Sequence, residues 1–137
     1  LLQRLETVSA AEQDTDPLAY ALVAGLLAWV GDELTEKTSF ASQLGEPKSP
    51  DRPTLSRLRF ARLQTADSPN DFFRQARRAL QIVGKTAHIA LFAEEILAWY
   101  WEFQGQHPDK PKDRIQVRWA TGYFRAAPKK EASDTAN

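Results

Sequence analysis

The residues of this chain best suited to chemistry are arginines. In S-P-N-D-F-F-R-Q-A-R-R-A-L-Q-I-V, residues 68–83, Arg74, Arg77 and Arg78 fall close together, and Arg52, Arg57, Arg59 and Arg62 precede them. A guanidinium is a planar fork of donors that stays charged at every physiological pH and matches the oxygens of phosphate or carboxylate. Such groups at helical spacing suit contact with a polyanion rather than bond breaking. Candidates for catalysis are sparse. His88 lies in an apolar stretch and reads as a core histidine, while His107 sits in a proline loop with no metal-ligand spacing around it. Glu94 and Glu95 are adjacent, so on a helix they diverge by about 100° and cannot converge on one substrate. The sequence holds no cysteine, no Gly-rich phosphate loop and no Ser-His-Asp order. Neither an enzyme, a cofactor nor a metal centre is expected.

Helical geometry sets the arginines against an apolar side. With Phe72 at 0°, the residues Phe73, Ala76, Ala79, Leu80 and Val83 fall between about 340° and about 100°, Arg77 at about 140°, Arg74 at about 200° and Arg78 at about 240°. A helix docked through its phenylalanines therefore presents a row of guanidinium groups outward. No acid follows Asp71 on that side to form i,i+4 pairs. Two readings stand: a solvated charged face, or an anion contact that relieves the repulsion between Arg74 and Arg78. In the preceding segment, with Leu55 at 0°, Arg59 falls at about 40° and Arg62 at about 340°, beside Leu63. That predicts half-buried, oriented arginines, fit for a phosphate or for an internal salt bridge to the acidic first third of the chain. Arg118, beside Trp119 and Tyr123, either reaches phosphate or caps an acid.

The elements that must position these groups read as helices. Asp16-Pro17 opens a nearly all-apolar helix over 17–30, expected to be central and buried, and a short helix is expected over 36–44. The prolines of G-E-P-K-S-P-D-R-P, 45–53, predict an exposed loop. Thr54 is placed as the cap of a helix over 55–66. Ser68-Pro69 opens the arginine helix, which Gly84 should stop near Val83. A long helix over 86–103 and a last one over 113–126 complete an all-α bundle of about five to seven helices in one domain, residues 1–126, followed by a flexible polar tail, 127–137. At helical spacing Trp99 and Phe103 read as core, whereas Tyr100 and Trp101 could face a partner. No strand alternation is evident.

The totals fit one soluble-sized domain with divided charge. The chain has 137 residues and a formal charge of zero. Residues 1–47 carry two basic against eight acidic side chains, a net of −6, while residues 48–85 carry nine basic against three acidic, a net of +6. Sectoring of this kind marks either a polyanion surface or sectors that neutralise one another. No apolar run approaches the roughly 20 residues needed to span a bilayer, and L-L-Q-R-L-E, interrupted at once by polar residues, does not read as a secretory signal.

Residues 54–83, T-L-S-R-L-R-F-A-R-L-Q-T-A-D-S-P-N-D-F-F-R-Q-A-R-R-A-L-Q-I-V, resemble the centre of the CasB small subunit of the type I-E CRISPR surveillance complex, Cascade. The family's Arg-Phe-x-x-Leu-x-x-Ala-Asp segment is matched by Arg59-Phe60, Leu63 and Ala66-Asp67, and its following Arg-x-x-Arg-x-Leu helix by Arg74, Arg77 and nearby Leu80. F-A-E-E-I-L-A-W, 92–99, and R-W-A-T-G-Y-F, 118–124, are similar to two later family segments, so the likeness spans about residues 17–126. The family's first helix and the basic segment after it have no counterpart in this reading, and the insert over 101–112 is longer than usual. The resemblance implies a small non-catalytic helical bundle in the prokaryotic cytoplasm, without membrane contact. It also implies guide RNA and the target or displaced DNA strand as ligands, with the backbone and large Cascade subunits and a second copy of the chain as partners. Arg59 and Arg77, then Arg74, are carried over from the family motif. Arg62 and Arg78 rest on helical geometry, and Arg118, Arg57 and Arg52 complete the expected nucleic-acid-binding set. A helical protein–protein adaptor with no nucleic-acid contact is the competing reading.

Overall fold

Asp16 and Ser68 start the two helices that the sequence marks best. In the computed structural model, which describes residues 16–129, the Asp16 carboxylate accepts the N–H groups of Leu18 and Ala19 at 3.0 and 3.2 Å. The Ser68 hydroxyl accepts the Asp71 N–H at 3.0 Å, and a proline occupies the first turn of both helices. These helices are α1 (Pro17–Leu27) and α4 (Pro69–Ile82). Between them lie β1 (Asp32–Glu33), α2 (Phe40–Gly45), β2 (Pro47–Ser49), β3 (Arg52–Pro53) and α3 (Arg57–Gln64). After α4 come β4 (Thr86–Ala87), α5 (Ile89–Phe103), a 3-10 turn (Pro111–Asp113) and α6 (Ile115–Ala126). Six α-helices among the described residues form a mostly helical small domain, the class that the periodicity predicts. None of them is long and apolar enough to cross a membrane. The segment before Asp16, with acids Glu6, Glu12 and Asp14, and the tail beyond residue 129 lie outside the described residues.

Several boundaries differ from expectation, each because of a specific contact. α1 ends at Leu27, short of Val30, because the chain turns there to run beside β4. β1 and β4 pair in parallel, Asp32 with Thr86 and Glu33 with Ala87. The proline segment 45–53 is a small irregular antiparallel hairpin rather than a loop, with Pro47 opposite Pro53 and Ser49 opposite Arg52. α3 is capped by Ser56, whose hydroxyl accepts the Arg59 N–H at 3.3 Å. The hydroxyl of Thr54, the expected cap, instead donates to the Glu46 carbonyl at 2.8 Å and ties the hairpin down. His88 is not a core side chain but the cap of α5, its Nδ1 accepting the Leu91 N–H at 3.2 Å.

Aromatic rings fill the centre. Trp119 of α6 is fully buried, with ring centroids 6.1 Å from both Phe40 of α2 and Phe72 of α4. Phe72 stacks on Trp99 at 4.0 Å, and Phe60 of α3 stacks on Tyr123 of α6 at the same distance. Burying one such ring contributes on the order of 2–3 kcal/mol. α4 docks as its periodicity predicts, burying Phe72, Ala76, Ala79 and Leu80. In α5 the outcome is partly reversed: Trp99 is core, but so are Tyr100 and Trp101, while Phe103 is exposed at the last turn. Tyr100 is held inside by donating its hydroxyl to Asp16 at 2.9 Å.

Candidate nucleic-acid interface

Capping α3 at Ser56 re-aims its arginines. Leu55 lies outside the helix, so orientation is set by Phe60 and Leu63, the buried pair. With Phe60 at 0°, Leu63 lies at about 300°, Arg59 at about 260° and Arg62 at about 200°, on one flank, whereas Arg57 lies at about 60° on the other. The expected half-burial of Arg59 and Arg62 is not found; both are exposed. They border a groove of ≈ 340 Å³ between α3 and α4, shared with Gln75, Arg78 and Ile82. Three arginine side chains from two helices thus meet one trough. Among the described residues the ion pairs are Arg74 with Asp71 and Arg118 with Glu94, so Arg59, Arg62 and Arg78 have no carboxylate partner there.

The other predicted arginines separate into distinct surroundings. Arg77 does not join the outward row. It lies on the α1 side of α4, its guanidinium 4.8 Å from the centre of the Trp29 ring. Arg74 meets Asp71 at 3.3 Å, one helical turn back, with most of its side chain in water, where such a pair is worth little. Arg57 covers the ring of Phe124 at 5.6 Å. Arg52 borders a second groove with Lys48, Ser49 and Ser56 beside the hairpin. Arg118 is the exception. Its guanidinium donates to Glu94 at 3.0 Å in a partly buried pair, the contact that the acid-capping reading expects.

The two carboxylates excluded as a catalytic pair have separate tasks. Glu94 holds Arg118, whereas Glu95 is buried and accepts the Phe40 N–H at 3.1 Å and the Trp119 indole N–H at 2.9 Å. Burial drives its pKa up to about 7, against the pull of those two hydrogen bonds and of Arg118. Among the described residues no three His, Asp or Glu side chains gather where a metal could bind. The surface chemistry that the α3–α4 groove offers is therefore cationic and directional.

A match along most of the chain decides the family. The family model for CRISPR-associated protein Cse2 covers residues 2–124 of 137. This chain belongs to the Cse2 family. Cse2, equivalently CasB, is the small structural subunit of the type I-E Cascade complex and works beside its other subunits. No curated protein and no solved structure matches the chain. Within this Cse2 domain the groove also uses Gln75 and Ile82, and the Arg77 surroundings use Trp29 and Lys85, residues absent from the predicted set. Gln75 and Ile82 were within reach of a wheel drawn around α4. Trp29 was not, because its apolar neighbourhood reads as a helix interior.

Proposed function

We infer that this chain is a non-catalytic Cascade subunit of the prokaryotic cytoplasm that holds nucleic-acid backbone in the groove between α3 and α4. In that role it steadies the guide RNA–target assembly and the displaced DNA strand, beside the backbone and large subunits and a second copy of itself. The observation that carries this reading is the convergence of Arg59, Arg62 and Arg78 on one trough without acid partners among the described residues. Base pairing supplies specificity in RNA-guided recognition, so an accessory surface needs only to track phosphates. Strand exchange in an R-loop is nearly balanced, and a modest hold on either product tips it. Arg57, Arg52, Arg74 and Arg77 extend the cationic surface on either side. Arg118 is left out, since its guanidinium is committed to Glu94.

The test is affinity of the chain for single- and double-stranded DNA across a salt series, repeated with Arg59, Arg62 and Arg78 changed to glutamine, and R-loop lifetime in the assembled complex. Weak, salt-sensitive binding that the triple variant loses, with a shorter R-loop lifetime, is expected. Absence of binding at low salt, together with intact assembly and an unchanged R-loop, would favour the protein-only adaptor.

A further inference from the structure

Trp29 is the one tryptophan among the described residues with substantial exposure, 36%, while Trp99, Trp101 and Trp119 are all at 7% or less. Two cations share its ring: the Arg77 guanidinium at 4.8 Å and the Lys85 ammonium at 5.9 Å from the centroid. Each is within the range of a cation–π attraction, but the two repel one another. No carboxylate among the described residues lies within ion-pair distance of either. Arg77 Nε is buried without a hydrogen-bond partner.

Both sides of this arrangement are fixed by backbone. Trp29 N–H donates to the Leu26 carbonyl at 3.0 Å. Lys85 N–H donates to the Leu80 carbonyl at 2.8 Å, and its own carbonyl accepts Gly31 and Asp32 at 2.8 and 3.3 Å. Lys85 adopts φ 61°, a left-handed conformation that L side chains other than Asn and Asp rarely take. Gly84 before it, at φ 81°, would have sufficed to end the helix. The strained lysine is thus held beside the ring by three backbone hydrogen bonds. An exposed indole flanked by unpaired cations has the composition of a site for one unpaired nucleotide, the ring for the base and the cations for its phosphate.

We propose that Trp29, Arg77 and Lys85 form a platform that stacks one unpaired nucleobase and neutralises its phosphate, separate from the groove that tracks backbone. Arg77 and Arg78 diverge by about 100° around α4, with Arg74 between them. A single strand crossing α4 therefore meets the groove through its sugar-phosphate chain and the platform through a base. This rests on the nucleic-acid reading above, and its test separates the two.

The full chain is titrated at low salt with a short oligothymidylate and with an abasic strand of the same length and charge, following strand anisotropy and tryptophan fluorescence together. Oligothymidylate is expected to bind about tenfold more tightly than the abasic strand and to quench the exposed indole. Trp29→Leu should erase that ratio, with folding checked by its melting curve. Lys85→Gln, at an exposed position, should weaken both strands. Groove variants Arg59→Gln and Arg62→Gln should weaken both strands equally and keep the ratio. Equal binding of the two strands by the unaltered chain with unmoved fluorescence overturns the platform and leaves the groove standing, without reliance on any variant. A ratio that survives Trp29→Leu overturns it as well. No binding of either strand overturns both readings.

Discussion

The carboxylate of Glu95 accepts the indole N–H of Trp119 at 2.9 Å, inside the core between α5 and α6. Its other oxygen accepts the Phe40 N–H in the first turn of α2, so one buried acid joins three helices. Burial raises its pKa from 4.5 to about 7 in the folded state. A carboxyl with a raised folded pKa adds stability that is complete below its unfolded pKa and is lost as pH rises through the folded one. Stability from this group should therefore fall between pH 4.5 and about 7, by up to about 3 kcal/mol, and level off above. Urea melts at half-unit pH steps check this. Glu95→Gln should remove the slope, and a variant retaining it would reassign the titration to another group.

The groove arginines should matter for binding and hardly at all for stability. Arg59, Arg62 and Arg78 are exposed, without acid partners among the described residues, so changing all three to glutamine should leave the melting free energy within about 0.5 kcal/mol. Each phosphate contact on a single strand contributes about 0.7 to the slope of log affinity against log salt. The triple variant should thus lose roughly 2 in that slope if each arginine meets one phosphate. Anisotropy titrations from low to moderate salt read it directly. An unchanged slope would place the contacts elsewhere.

How far this was legible in the sequence depends on whether the deciding contact was local. Ser68 and Pro69 announced α4 because a cap and a first-turn proline act within one turn. The wheel around Phe72 gave its buried side correctly. It also placed Arg77 and Arg78 on different bearings, but could not say that α1 flanks one and α3 the other. Thr54 and Ser56 are equally good caps in isolation. The choice between them was made by the Glu46 carbonyl, eight residues back, which takes the Thr54 hydroxyl. The two-residue strands β1 and β4 are too short to show a period at all. Trp29 required knowing that the chain leaves α1 at Leu27 and turns back beside Lys85.

Arg118 should behave oppositely to the groove. Its guanidinium donates to Glu94 at 3.0 Å while another of its nitrogens is buried without a partner. Replacement by glutamine leaves a partly buried carboxylate without its counter-charge, which costs about 1 kcal/mol for a pair only partly withdrawn from water. Strand affinity should not change. A double-mutant cycle with Glu94→Gln isolates the pair: the two single losses added together should exceed the loss measured for the double variant, and the excess is the coupling. Loss of strand affinity in Arg118→Gln without loss of stability would return Arg118 to the binding surface.

Gly45 should be the least replaceable glycine. It ends α2 where that helix meets α6, and a Cβ built there collides with the backbone carbonyl of Tyr123. A backbone atom cannot swing aside as a side-chain end can, so α2 and α6 must separate. That movement disturbs the Phe60–Tyr123 stack and the Tyr123 hydroxyl's bond to the Leu55 carbonyl. Overpacking of this kind costs about 1–3 kcal/mol, and here two supporting contacts suffer with it. Gly25→Ala provides the comparison: its added Cβ meets the ring edge of half-buried Phe73, at 2.7 Å, a side-chain end that lines a groove beside Leu18 and Leu22 rather than a backbone atom. Chemical melts of the two variants should place Gly45→Ala at least about 1 kcal/mol below Gly25→Ala. The reverse order would mean that α2 and α6 part without strain.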